Sequence, residues 1–180
     1  MKQEFTISIY SENHIGLLSQ VSTVFTRRNV NIESITSSES AIPGIHKITI
    51  VAITDWEQIE KVRTQLDKRI DVVKSFVFTS DEVIHQEIAL YKVPTEAILD
   101  SDEVERLIRK HNARILEVMR EYTVIEKTGH KNETQKLFEE LSKFGVTQFT
   151  RSGRVAVTKL KEELLSNYLN NIENEKTMKE

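Results

Sequence analysis

The chain has 180 residues, 38% of them apolar and 29% charged, and a net charge of −3. That is material for one ordinary domain or two small ones, and the acidic balance counts against a dedicated nucleic-acid binder. No apolar run approaches the roughly 20 residues that span a bilayer, and no signal-peptide run precedes the first strand. The absence of cysteine removes disulfides, thiolate nucleophiles and Cys-type zinc sites together, so a soluble cytoplasmic protein is expected.

Phe5 to Tyr10 alternates, with Phe5, Ile7 and Ile9 on one face and Thr6 and Ser8 on the polar other, and predicts a strand. A turn then opens a helix whose apolar positions, Leu17, Leu18, Val21, Val24 and Phe25, fall three and four apart. It ends at Arg27-Arg28-Asn29, where basic residues suit the negative dipole end and Asn tolerates a left-handed cap. A second strand is expected from Asn31 to Ser40, closed by the turn signal Ile42-Pro43-Gly44. Lys47 to Ile53, rich in Ile, Val and Thr, reads as a central strand. Asp55 is the expected N-cap of a helix to Lys68 with Ile59, Val62 and Leu66 inward, and Val72 to Phe78 makes a fourth strand. The order β-α-β-β-α-β over residues 1–79 is the ferredoxin-like arrangement.

Residues 80–82, Ser-Asp-Glu, form a short polar linker, and the pattern repeats over 83–159. Ile84 to Val93 reads as a strand, Asp100 to His111 as a helix with Val104, Leu107 and Ile108 inward, and Arg114 to Met119 and Tyr122 to Glu126 as strands. Lys131 to Phe144 is a helix packed through Leu137, Leu141 and Phe144, stopped by Gly145, and Val146 to Arg151 is a last strand. The fold class is therefore α+β, two tandem ferredoxin-like units. In residues 160–180, Leu160, Leu164, Tyr168 and Ile172 recur every four with Leu165 and Leu169 beside them, an amphipathic helix. It either lies against its own domain or meets a partner chain, and the last half-dozen residues are expected to be disordered.

The segment that bears on function is Asn13 to Leu18. Asn13 and Gly16 sit where a strand hands over to a helix N-terminus, whose free N–H groups and positive dipole end favour a carboxylate. Gly16 lets a ligand approach the backbone, and Asn31 offers a second amide at the next strand. These residues fit a free amino acid. They fit an Asn13 cap and a Gly16 turn more simply.

The run E-N-x-x-G-x-L-S-x-V from Glu12, with N-I-E-S at 31–34, resembles the ACT domain of acetohydroxyacid synthase small subunits. The pieces EIALYKV at 87–93, EKTGHKNETQKLFEELSKFGV at 126–146 and RSGRVAVTK at 151–159 are similar to that family's C-terminal domain. The resemblance implies an ACT domain at 1–79 and an effector site for valine or another branched-chain amino acid between two ACT domains of a homodimer. It implies a carboxylate held by the N–H groups of Ile15 to Leu18, an ammonium near Asn13 and Asn31, and contributions from His14, Gly16, Leu17 and Ile32. His14-Ile15 and Leu17 depart from common family residues, and a bulkier Leu17 is expected to narrow the pocket. The implied partner is the catalytic large subunit, which would carry thiamine diphosphate, magnesium and FAD, with no cofactor in this chain. Activation of that subunit and feedback inhibition are the implied roles.

No catalytic constellation is expected beside this. The five histidines, at 14, 46, 85, 111 and 130, fall in different elements with no metal-binding spacing. There is no phosphate loop and no nucleophile elbow. A free-standing amino-acid sensor and a metabolic enzyme on a ferredoxin-like scaffold are the other readings.

Overall fold

In the computed structural model, which describes residues 1–99 and 102–177, the first strand outgrows its expected bounds. β1 runs Gln3–Glu12, followed by α1 Leu17–Arg27, β2 Ser34–Glu39, β3 Ile45–Thr54, α2 Trp56–Leu66 and β4 Val72–Thr79. These strands form one antiparallel sheet in the order β2-β3-β1-β4. The expected ferredoxin-like topology is present, with β3 central and β2 on an edge.

Phe5, Ile7, Ile9, Ile48 and Ile50 from the sheet meet Val21, Val24 and Phe25 of α1 and Ile59, Val62 and Leu66 of α2 in one core. Each such side chain contributes roughly 1.5–3 kcal/mol of burial. α1 stops as its sequence dictates: Asn29 takes φ 52, and the N–H groups of Asn29 and Val30 reach back to the carbonyls of Thr26 and Phe25 at 3.0 Å each. Buried Val30 and Phe25 complete this Schellman closure. Asp55 caps α2 by accepting the Gln58 N–H at 2.9 Å.

Thr6 and Ser8, expected on a polar face, are 0% and 4% exposed. The reason is the chain beyond residue 155, which groups with Met1–Ile84 as one unit. Lys47 Nζ donates to the Ala156 carbonyl at 2.7 Å, Tyr10 OH reaches Glu163 at 3.5 Å, and Leu165 is fully buried. The segment from Ala156 on thus belongs with the first unit. The sequence reading missed β9, Val155–Thr158, which pairs with β5. The final helix, α6, runs Leu164–Thr177 and does not begin at Leu160. Glu163 Oε2 accepts the Ser166 N–H at 2.6 Å and starts the helix there, leaving Leu160 58% exposed. The disorder expected of the last residues lies, for 178–180, outside the described residues.

The second unit, His85–Val155, repeats the plan. β5 Val83–Pro94 leads in, followed by α3 Glu96–Leu99, α4 Asp102–Lys110, β6 Arg114–Val118, β7 Tyr122–Gly129, α5 Lys131–Leu141 with a 3-10 turn Ser142–Phe144, and β8 Gln148–Arg151. The sheet order is β6-β7-β5-β8. The expected helix start, Asp100, lies with Ser101 outside the described residues. Ala89, Tyr91 and Val93 pack with Val104, Ile108, Ile125, Leu137 and Leu141. Asn112 at φ 51 closes α4 as Asn29 closes α1, with the Ala113 N–H on the Ile108 carbonyl at 2.9 Å.

Candidate functional site: the turn between β1 and α1

β1 is held to its last residue by the Glu12 N–H on the Asp71 carbonyl at 3.0 Å. The chain then turns back within four residues. The Leu17 N–H donates to the His14 carbonyl at 3.2 Å, and Gly16 has φ 89 and ψ −2. This is a type II turn with glycine where a positive φ is required. Gly16, and not Asn13, occupies the N-cap position of α1, and no side chain caps the helix. The reading of Asn13 as a cap is therefore corrected.

The consequence is a helix N-terminus with open donors. Leu17 spends its N–H on the turn and Gln20 on the Gly16 carbonyl at 3.0 Å. Among the described residues the N–H groups of Leu18 and Ser19 have no acceptor in the chain. No acidic residue stands in the first turn of α1, so no side chain of the turn itself offsets the positive dipole end. Leu18 and Ser19 are thus open donors at the helix N-terminus, and Ser19 lies one residue beyond the Ile15-to-Leu18 run that the resemblance implied. An added Cβ at Gly16 would meet nothing within 4 Å, so the approach is open.

The side chains divide in two. Ile15 and Leu18 are exposed, at 105% and 48%. Asn13 and His14 are also exposed, and His14 Nε2 lies 3.0 Å from Glu12 Oε2. That contact raises the His14 pKa above its ordinary value, with Asp71 adding to it. Leu17, in contrast, is 6% exposed and belongs to the core with Val21 and Val24. It faces inward and does not narrow the turn, which corrects the expectation of a smaller pocket.

Asn31 and Ile32 stand apart from this turn. Asn31 is exposed and donates to Glu33 Oε1 at 2.9 Å, while Ile32 packs against the core. β2 pairs Ser34 with Val51 of β3, whereas β1 pairs Glu12 with Ile45 of β3. Six residues of strand separate the two registers, about 20 Å at 3.4 Å per residue. The turn and Asn31 lie at opposite ends of one sheet. A single copy cannot place both on one amino acid.

Among the described residues no group of three or more His, Cys, Asp or Glu side chains is arranged for a metal ion. No described helix is long and apolar enough to cross a membrane. Of the five histidines, two that sequence spacing kept apart are brought together: His85 and His130 have their Nδ1 atoms 3.3 Å apart. They meet just beyond the last β5–β7 pair, Glu87 with Gly129, where the chain has left the ladder, a placement that no spacing in the sequence encodes.

The fold and the turn define the class. This is an α+β chain of two ferredoxin-like units, the first of them an ACT domain. Residues 7–74 match the family model described as AHAS small subunit-like ACT domain, and residues 86–160 match that of the small subunit of acetolactate synthase. The acetolactate synthase small subunit of Bacillus subtilis is 32% identical over 87% of this chain and 90% of its own length. A probable acetolactate synthase small subunit of Methanothermobacter thermautotrophicus is also 32% identical, over 85% and 91%. The crystal structure of the Thermotoga maritima acetolactate synthase small subunit superposes with a TM-score of 0.80 at 30% identity, covering 89% of this chain and 99% of that one. The chain belongs to the acetolactate synthase small-subunit family.

Proposed function

We propose that this chain is the regulatory subunit of an acetolactate synthase. In this reading it has no catalytic role: it raises the activity of the catalytic subunit in the cytoplasm and makes that subunit sensitive to valine or another branched-chain amino acid. The observation that carries the reading is family membership extending through both units, with an uncapped helix N-terminus behind a glycine turn in the first. Thiamine diphosphate, magnesium and FAD would reside in the catalytic subunit. This chain's part would be to bind and respond.

The effector site would form between two copies. β2 is an edge strand, and its outer N–H and C=O groups are available for pairing with another strand. Antiparallel pairing of two β2 edges about a twofold axis reverses one copy, which carries its Asn31 toward the turn end of the other. The carboxylate would then sit on the Leu18 and Ser19 N–H groups, and the ammonium near Asn13 and the other copy's Asn31. Ile15, Leu18 and Ile32 would supply apolar surface for the tail. Such a ligand regulates only if it binds two arrangements of the complex with different affinity.

The two-copy site has a direct test. Asn13→Ala and Asn31→Ala chains, each defective in valine binding alone, are mixed and refolded together. Every mixed dimer then contains one site with both residues intact and one with neither. Calorimetry should recover about a quarter of the wild-type sites in a random mixture. No recovery would mean that both residues act from the same copy or that neither touches the ligand.

A further inference from the structure

We propose that His85 and His130 chelate a late first-row divalent cation such as Zn²⁺, independently of the effector site. His85 is half-buried on β5, and His130 is exposed where β7 turns into α5. The last pair of the β5–β7 ladder is Glu87 with Gly129, and the two imidazoles meet just beyond it, where the chain leaves β7 for α5. Their Nδ1 atoms are 3.3 Å apart, their ring centroids 4.5 Å, and their planes 73° from parallel.

Two neutral imidazoles at that distance can share one proton, donated by one Nδ1 and accepted by the other. The same spacing suits a metal. Two nitrogens bound tetrahedrally to Zn²⁺ at about 2.0–2.1 Å lie about 3.3 Å from each other, so the nitrogens already stand at the right separation, and the rings must swing out of their edge-to-face packing to aim both lone pairs at one ion. Glu133 brings a carboxylate to the same corner, its Oε2 accepting the His130 backbone N–H at 2.7 Å. Lys127, whose ammonium lies with Glu133 beside Gly129, opposes a cation and moderates the affinity. The described residues offer no third His, Cys, Asp or Glu ligand around the same point, so water completes the shell. Imidazole donors favour Zn²⁺, Ni²⁺ and Cu²⁺ over the oxygen-seeking Mg²⁺ and Ca²⁺. By bridging β5 to the start of α5, the ion would stiffen the second unit.

The test uses the full chain, metal-free and without an affinity tag. Calorimetric titration with Zn²⁺ at pH 7.5 should show one equivalent bound in the micromolar range, and Mg²⁺ should give no heat. His85→Gln and His130→Gln should each weaken binding at least tenfold, whereas His14→Gln, a surface histidine in the other unit, should not. Zn²⁺ should also raise the melting temperature of the parent and not of either variant. Zn²⁺ binding unchanged in both variants, or no binding by the parent, would overturn the assignment.

Discussion

Gly16→Ala isolates what the turn before α1 contributes. At φ 89 an alanine is held in the left-handed region, at a cost of about 1–2 kcal/mol. The smaller freedom of an unfolded alanine returns about 0.4–1 kcal/mol of this. Steric cost is absent, because a Cβ there meets nothing within 4 Å. The net destabilisation should be about 1 kcal/mol, a fall in melting temperature of about 2–4 °C for a chain of this size. Gly145→Ala is a matched control. Gly145 has φ 79, and its added Cβ meets only Pro94, Cγ at 3.7 Å and Cδ at 3.9 Å, both ordinary contacts. It lies in the other unit. Urea denaturation of both variants, followed by valine titration of each with the catalytic subunit, separates strain from site. Both should lose similar stability, and only Gly16→Ala should shift the valine response. If Gly16→Ala were as stable as the parent, the left-handed turn would be wrong. If Gly145→Ala also lost the response, general destabilisation would explain both.

Two further outcomes follow from side-chain contacts. Asp67 Oδ1 accepts the Ser75 N–H at 2.8 Å and its hydroxyl at 2.5 Å, while Oδ2 meets Lys74 at 2.7 Å and Arg63 at 3.2 Å. Ser75 is 1% exposed, so Asp67→Ala leaves its buried N–H without this acceptor and its hydroxyl with only the Arg63 carbonyl at 3.3 Å, and should cost about 2 kcal/mol in equilibrium urea denaturation. A loss under about 1 kcal/mol would contradict that role. His14, hydrogen-bonded to Glu12, should titrate above its ordinary 6.5 in an NMR pH series. Because its folded pKa is raised, the contact favours the fold at low pH and fades as pH rises through that value. Glu12→Gln should lower the His14 pKa, and no change would show that the contact does not form in solution.

The parts of the fold legible in the sequence were those with local causes. Asn29 and Asp55 marked helix ends because their side chains and backbone preferences act within a few residues. Alternation at Phe5, Ile7 and Ile9 identified the core face because one side of the sheet meets two helices. What local pattern does not carry is what returns from far along the chain. Thr6 and Ser8 look like a wet face, and only the segment after residue 155 dries them. The start of α6 depends on a glutamate cap at Glu163, an unusual choice that a fourfold leucine spacing conceals. At the site, the sequence singled out the turn and Asn31 as two pieces of one motif. The 20 Å that strand geometry puts between them follows from the register of β1 and β2 on β3, and no spacing in the sequence encodes it. The inward turn of Leu17 is likewise set by its place at the first position of α1, in phase with Val21 and Val24.

The most direct test of the central claim is acetolactate formation by the cognate catalytic subunit, measured alone, with this chain, and with this chain plus valine. The account predicts stimulation by the chain and its suppression by valine, with Asn13→Ala and Asn31→Ala keeping the first and losing the second. A catalytic subunit whose rate is unchanged by the chain would contradict it.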